Sequence, residues 1–125
     1  MNKTYEKPTI SIDAGLAEGV YAASGAGSLT AKDADPWDAW DGGGKRGVTV
    51  NWAGIDGTIV LTLNFNDTID EVAVDDSNVQ TSISGSAVTL TFSNSVQNPM
   101  YVGLHINHGT SIYNLKLTGY THSVR

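Results

Sequence analysis

Apolar and polar residues alternate with a period of two along most of this chain, and helical spacing is almost absent. Over residues 57–65, Ile59, Leu61, Leu63 and Phe65 fall on one face and Thr58, Thr62 and Asn64 on the other. Residues 86–93 set Val88, Leu90 and Phe92 against Thr89 and Thr91. Residues 100–108 turn Met100, Val102, Leu104 and Ile106 inward and Tyr101, His105 and Asn107 outward. Residues 111–119 group Tyr113, Leu115 and Leu117, while Val48, Val50 and Trp52 share a face between Gly47 and Gly54. Shorter strands are expected at 9–13, 20–24, 69–74 and 79–84.

Turn pairs separate these runs: Asp56-Gly57, Asn66-Asp67, Asp75-Asp76, Ser84-Gly85, Asn98-Pro99 and His108-Gly109. About nine short strands with one apolar face each predict an all-β fold, an antiparallel β-sandwich of jelly-roll-like form. The chain has 125 residues, which is one domain's length. The sandwich is expected over 8–121, with a flexible segment at 1–7 and a tail at 122–125.

Composition narrows the function. The formal net charge is −6, which disfavours phosphate backbones and anionic lipid surfaces, so neither nucleic acid nor membrane is an expected partner. There is no cysteine, which excludes disulfide and thiol chemistry. The outward strand faces are rich in Thr, Asn and Ser, which suits a solvated sheet and equally a sheet that meets a polar ligand.

One stretch breaks the alternation. Residues 32–46, KDADPWDAWDGGGKR, read as a long loop. It carries Trp37 and Trp40, two of the three tryptophans, and the carboxylates Asp33, Asp35, Asp38 and Asp41. With Asp35 as N-cap and Pro36 as first helical residue, a turn would put both indoles on one side. Sugar rings present faces of C–H groups that stack on indoles, and carboxylates accept hydrogen bonds from their hydroxyls. Trp37 and Trp40 are therefore candidate stacking residues, with Asp38, Asp41 and Asn51 as hydrogen-bonding partners. Trp52, beside Val48 and Val50, is expected in the core.

The other groups offer less. The four aspartates do not match the ligand positions of an EF-hand loop, whose glycine would fall on Asp38. Asp75 and Asp76 read as a turn. His105 and His108, three apart on an expected strand, project to opposite faces, a poor geometry for sharing a metal. His105 shares the outward face of Tyr101, so both are candidate ligand contacts. No GxSxG, HExxH, P-loop or dinucleotide motif is present, and no enzymatic activity is expected; the competing enzymatic reading is a small glycan-active enzyme with Asp38 and Asp41 as its carboxylate pair.

Residues 9–120 resemble a small bacterial β-sandwich carbohydrate-binding module, of the kind appended to plant-cell-wall-degrading and cellulosomal enzymes. The likeness rests on the opening GLAEGVYAASGAGS at 15–28, the aromatic run PWDAWD at 36–41 and the closing SIYNLKLTGY at 111–120. It implies non-catalytic binding of a neutral polysaccharide, a β-glucan or hemicellulose, by a monomeric module that targets an attached catalytic domain. Trp37 and Trp40 match the coplanar aromatics of such modules, with Tyr101 a third. No cofactor is expected; many such modules carry a structural calcium, and no ligand set here matches one. An excised module of a secreted, extracellular protein fits a chain without a signal segment. The charge argues against uronic-acid polymers, with Lys45 and Arg46 as a local exception. The competing reading is a structural or adhesive β-sandwich on a virion or cell surface, its tryptophans docked on protein.

Overall fold

The computed structural model describes residues 27–125. The strands expected at 9–13 and 20–24, the expected flexible segment 1–7 and most of the stretch 15–28 lie outside the described residues. Eight strands follow in order: β1 Ser28–Trp40, β2 Gly43–Ala53, β3 Thr58–Phe65, β4 Glu71–Val74, β5 Gln80–Ser84, β6 Ala87–Ser93, β7 Met100–Asn107 and β8 Leu117–Val124. A 3-10 turn at Ile112–Asn114 precedes β8. The fold is all-β. Two antiparallel four-stranded sheets, ordered β1-β2-β7-β4 and β5-β6-β3-β8, form a sandwich. Only β1–β2 and β5–β6 are hairpins of neighbours; every other connection crosses between sheets, a jelly-roll-like interleaving.

The core consists of the residues that the alternation marks as inward. Ile59, Leu61 and Leu63 of β3 meet Val88, Leu90 and Phe92 of β6, and Val48 and Val50 of β2 meet Val102 of β7 and Met100 at its start. All are buried. Each such aliphatic or aromatic side chain contributes about 1.5–3 kcal/mol on leaving water. Trp52 is buried as expected; its Nε1 donates to the Asn94 carbonyl at 3.1 Å and its ring lies 5.0 Å from that of Phe92.

Three expectations are corrected. Residues 32–46 are no loop and hold no helical turn. They form the β1–β2 hairpin, with Trp40 opposite Gly43 across the two-residue turn Asp41-Gly42, where Gly42 takes φ 88°. The alternation is hidden because β1 slips register twice, between Asp33 and Pro36 and between Pro36 and Asp38. Pro36 is tolerated because β1 is an edge strand among the described residues. Residues 122–124 are not a tail: Leu61 pairs with His122 and Ile59 with Val124, and Thr58 and Arg125 exchange two backbone hydrogen bonds of 2.9 Å. Finally, Tyr113 does not face inward. The 3-10 turn buries Ile112 and Leu115 and leaves Tyr113 63% exposed, because its spacing of three replaces the period of two.

Candidate functional site

The outward face of the sheet β1-β2-β7-β4 gathers most of the expected site residues. Its rungs run across the strands. Trp40 lies opposite Gly43, which pairs with Asn107; Asp38, Lys45, His105 and Glu71 form the next rung. Gly47, Gly103 and Ala73 follow, and then Lys32, Thr49 and Tyr101. From the Trp40 rung to the Tyr101 rung is six residues, or about 20 Å of strand.

Trp37 owes its position to the bulge. In a regular strand, residues three apart point to opposite faces, so Trp37 and Trp40 would be divided. The extra residue between Pro36 and Asp38 re-aims the side chains and puts both indoles on the outer face. The six-membered ring of Trp37 then lies across β2 towards β7. A Cβ built on Gly47 would sit 3.2 Å from its Cζ3, and one on Gly103 would sit 3.4 Å from its Cη2. Two glycines facing each other in mid-sheet are a weak strand pair. Here they make the floor on which an aromatic ring rests. Trp37 nonetheless remains 59% exposed and Tyr101 60% exposed.

Buried chemistry holds the first of the two register slips. Arg46, corrected from an exposed cation beside a loop, points into the sandwich and is 6% exposed. Its Nε donates to the Ala34 carbonyl at 2.9 Å and lies 3.8 Å from Asp33 Oδ1, and its Nη1 donates to the Leu115 carbonyl. Asp33 Oδ2 accepts from the Leu117 backbone N–H at 3.0 Å. The guanidinium thus ties the chain at Asp33 and Ala34, in the first register slip, to Leu115 after the 3-10 turn, and Asp33 ties it to the start of β8.

Trp40 is more enclosed, at 37% exposure. Its Nε1 donates to Asn107 Oδ1 at 3.2 Å, and its ring meets that of His105 edge to face at 5.2 Å. His105 Nδ1 donates in turn to Glu71 Oε1 at 2.8 Å. His105 is therefore on the expected face, as a support beneath Trp40. Asp38 and Asp41 are exposed, Asp38 in register with Lys45 and Asp41 in the hairpin turn. Asn51 is exposed and pairs with Thr30.

His108 does not stand on the strand opposite His105. It follows the end of β7, where Nδ1 meets Asp70 Oδ2 at 2.7 Å and Nε2 meets Asp67 Oδ2 at 3.1 Å. Hydrogen bonds to the two carboxylates, Asp70 foremost, raise its pKa, and the same bonds lower those of Asp67 and Asp70. With both ring nitrogens engaged, the imidazole is a strut between turns. Neither nitrogen is open to a substrate.

Beside Trp37 lies a groove of about 440 Å³, running from Ala34 and Thr49 past Tyr101 to Val74 and Asp75. Its floor is the Gly47, Gly103 and Ala73 rung. Sequence reasoning misses this floor. The available signal is a glycine inside each of two strand patterns, at Gly47 and Gly103, which marks a close approach. Among the described residues no cluster of three or more His, Cys, Asp or Glu side chains is arranged to hold a metal ion.

No protein-family model and no curated protein matches the chain. The chain is similar to solved structures, two of which are the following. One is the crystal structure of the chitin-binding domain of a chitinase from Pyrococcus furiosus, 20% identical, covering 79% of this chain and 93% of that one, with a TM-score of 0.40. The other is the solution structure of the chitin-binding domain of the hyperthermophilic chitinase from the same organism, 16% identical, covering 84% and 93%, with a TM-score of 0.41. At that level of likeness, the function of this chain has to be read from its own side chains.

Proposed function

We propose that this chain is a non-catalytic module that binds a neutral polysaccharide along the outer face of the β1-β2-β7-β4 sheet. One observation carries the reading. Trp37 and Tyr101 line one groove on that face, each about 60% exposed, with Trp37 resting over a rung of glycines. Large rings left this wet add nothing to the core, and a row of them on a sheet marks a contact surface. Indole and phenol faces receive the C–H faces of pyranose rings, and a strip of about 20 Å accepts several consecutive units of a chain. Trp40 extends the row, and Asp38, Asp41 and Lys45 flank it with groups for sugar hydroxyls.

Attached to a catalytic domain in a longer secreted chain, such a module raises the local concentration of the enzyme at its polymer. A plant-cell-wall β-glucan or hemicellulose is one candidate polymer, and chitin, for which the two similar domains are named, is another. A gel-retardation and pull-down panel of these polymers tests the reading. Binding to at least one is expected. Trp37→Ala should weaken it by about 1–3 kcal/mol, the usual worth of a ring stack. A protein that binds none of them, or binds equally well without Trp37, rules the proposal out.

A further inference from the structure

We infer that the groove beside Trp37 is a subsite for the acetamido group of an N-acetylated amino sugar. This rests on the glycan-binding reading and adds a substrate class to it. The groove adjoins the exposed indole, so a substituent of a sugar stacked on Trp37 or Tyr101 falls into it. Its volume, about 440 Å³, lies in the range of small-ligand sites.

The lining decides the chemistry. The floor is Gly47, Gly103 and Ala73, with the Trp37 ring beside it, while the Val74 side chain packs inward against the core. These offer a hydroxyl no partner, and turning a hydroxyl onto such a surface costs it hydrogen bonds with water. A glucan carries hydroxyls at every free position of its ring, so it gains nothing there. An acetamido group carries a methyl, which gains by leaving water against Ala73 and the Trp37 ring. It also carries one N–H. The polar lining near Val74 is the carboxylate of Asp75, an acceptor for that N–H through a charge-assisted bond. The Thr49 hydroxyl is a donor for the amide carbonyl. Methyl, N–H and C=O therefore each have a counterpart, while a plain hydroxyl has fewer.

The test compares three β-1,4-linked hexamers by calorimetry and tryptophan fluorescence: N-acetylglucosamine, glucose and glucosamine. The N-acetylated hexamer is expected to bind about tenfold tighter than the glucose hexamer, the combined worth of one buried methyl and one net hydrogen bond. The Ala73→Leu variant fills the groove from an exposed strand position and should bring that ratio near one. Asp75→Ala should lower the ratio about threefold without touching the sheet. Equal binding of the N-acetylated and glucose hexamers by the wild type overturns the subsite but leaves the polysaccharide reading standing. A ratio that survives both variants also overturns it. Tightest binding of the glucosamine hexamer overturns it too, because cationic charge and not the acetyl group would then be recognised. Binding of no hexamer and no polymer sinks both proposals together.

Discussion

The two sheets of this sandwich bury the same kind of residue and show opposite kinds to the solvent. On the β5-β6-β3-β8 sheet, one rung reads Ser82, Thr89, Thr62 and Thr121, and the next reads Gln80, Thr91, Val60 and Ser123. Those eight outward positions carry no charge and no aromatic ring. The outward rungs of the other sheet carry Trp40, Trp37, Tyr101, His105 and the charges of Lys32, Asp38, Lys45 and Glu71. Threonine and serine facing solvent suit a pleated surface on intrinsic grounds. Gly47 opposite Gly103 does not, and neither does a half-exposed indole above them. A feature that strand propensity disfavours, kept together with the ring that compensates for it, is where function is to be sought.

The largest effect tests what holds the aromatic face in shape. Arg46→Ala strands the Asp33 carboxylate and two backbone carbonyls, and should cost about 3 kcal/mol by denaturant unfolding, in the range for breaking a buried pair. Because the guanidinium anchors Ala34, three residues before Trp37 and in the first register slip, polysaccharide binding should fall as well, measured at a temperature where the variant is still folded. If stability drops and binding does not, the Arg46 anchor is not what positions the ring.

A smaller change separates ring position from strand stability. Gly47→Val relieves a poor strand former, yet its Cβ would stand 3.2 Å from Trp37 Cζ3 and its branches closer still. The ring must move. Unfolding free energy should change by less than about 1 kcal/mol while binding weakens about tenfold. The matching change on the hydroxyl face is Thr62→Val, which removes the 3.4 Å contact with the Thr89 hydroxyl. It should cost about 0.5 kcal/mol or less and leave binding untouched. Equal effects of the two changes on binding would erase the functional distinction between the sheets.

These residues also show what could be read without a structure. The strands β3, β6 and β7 were legible because each keeps the period of two from end to end, so that Leu61, Leu90 and Leu104 declare themselves inward. The hairpin of β1 and β2 was not, because two bulges around Pro36 destroy the alternation and a run of three glycines imitates a loop. Trp37, Trp40 and Tyr101 were legible as aromatics without an apolar neighbour pattern. That Gly47 and Gly103 meet on one rung was not, since pairing between strands that far apart in the chain is a property of the sheet order. Arg46 illustrates the same limit: its cation looks solvent-facing until the 3-10 turn supplies a carbonyl from Leu115.

The smallest effects divide the sheets by pH. His108, at the end of β7, is held between Asp70 and Asp67, and its folded pKa lies above the unfolded value of about 6.5. Its contribution to stability is therefore complete below about 6.5 and is lost as pH rises through the raised folded value. Asp67 and Asp70 work from the other side: their lowered pKa values give stability that is present above about 3.9 and lost as pH falls through the folded values. His122 on β8 is the reverse of His108. Burial lowers its pKa, so folding is unpenalised above about 6.5 and is penalised once pH falls below that, because the unfolded chain takes the proton more readily. His108→Gln should lower the melting temperature at pH 5.5 more than at pH 8.5, whereas His122→Gln should raise the melting temperature at pH 5.5 relative to its effect at pH 8.5. Thermal unfolding of both variants across that range checks the signs. Parallel shifts in the two would mean that the imidazoles share one environment, against the opposed surroundings in which the two sheets hold them.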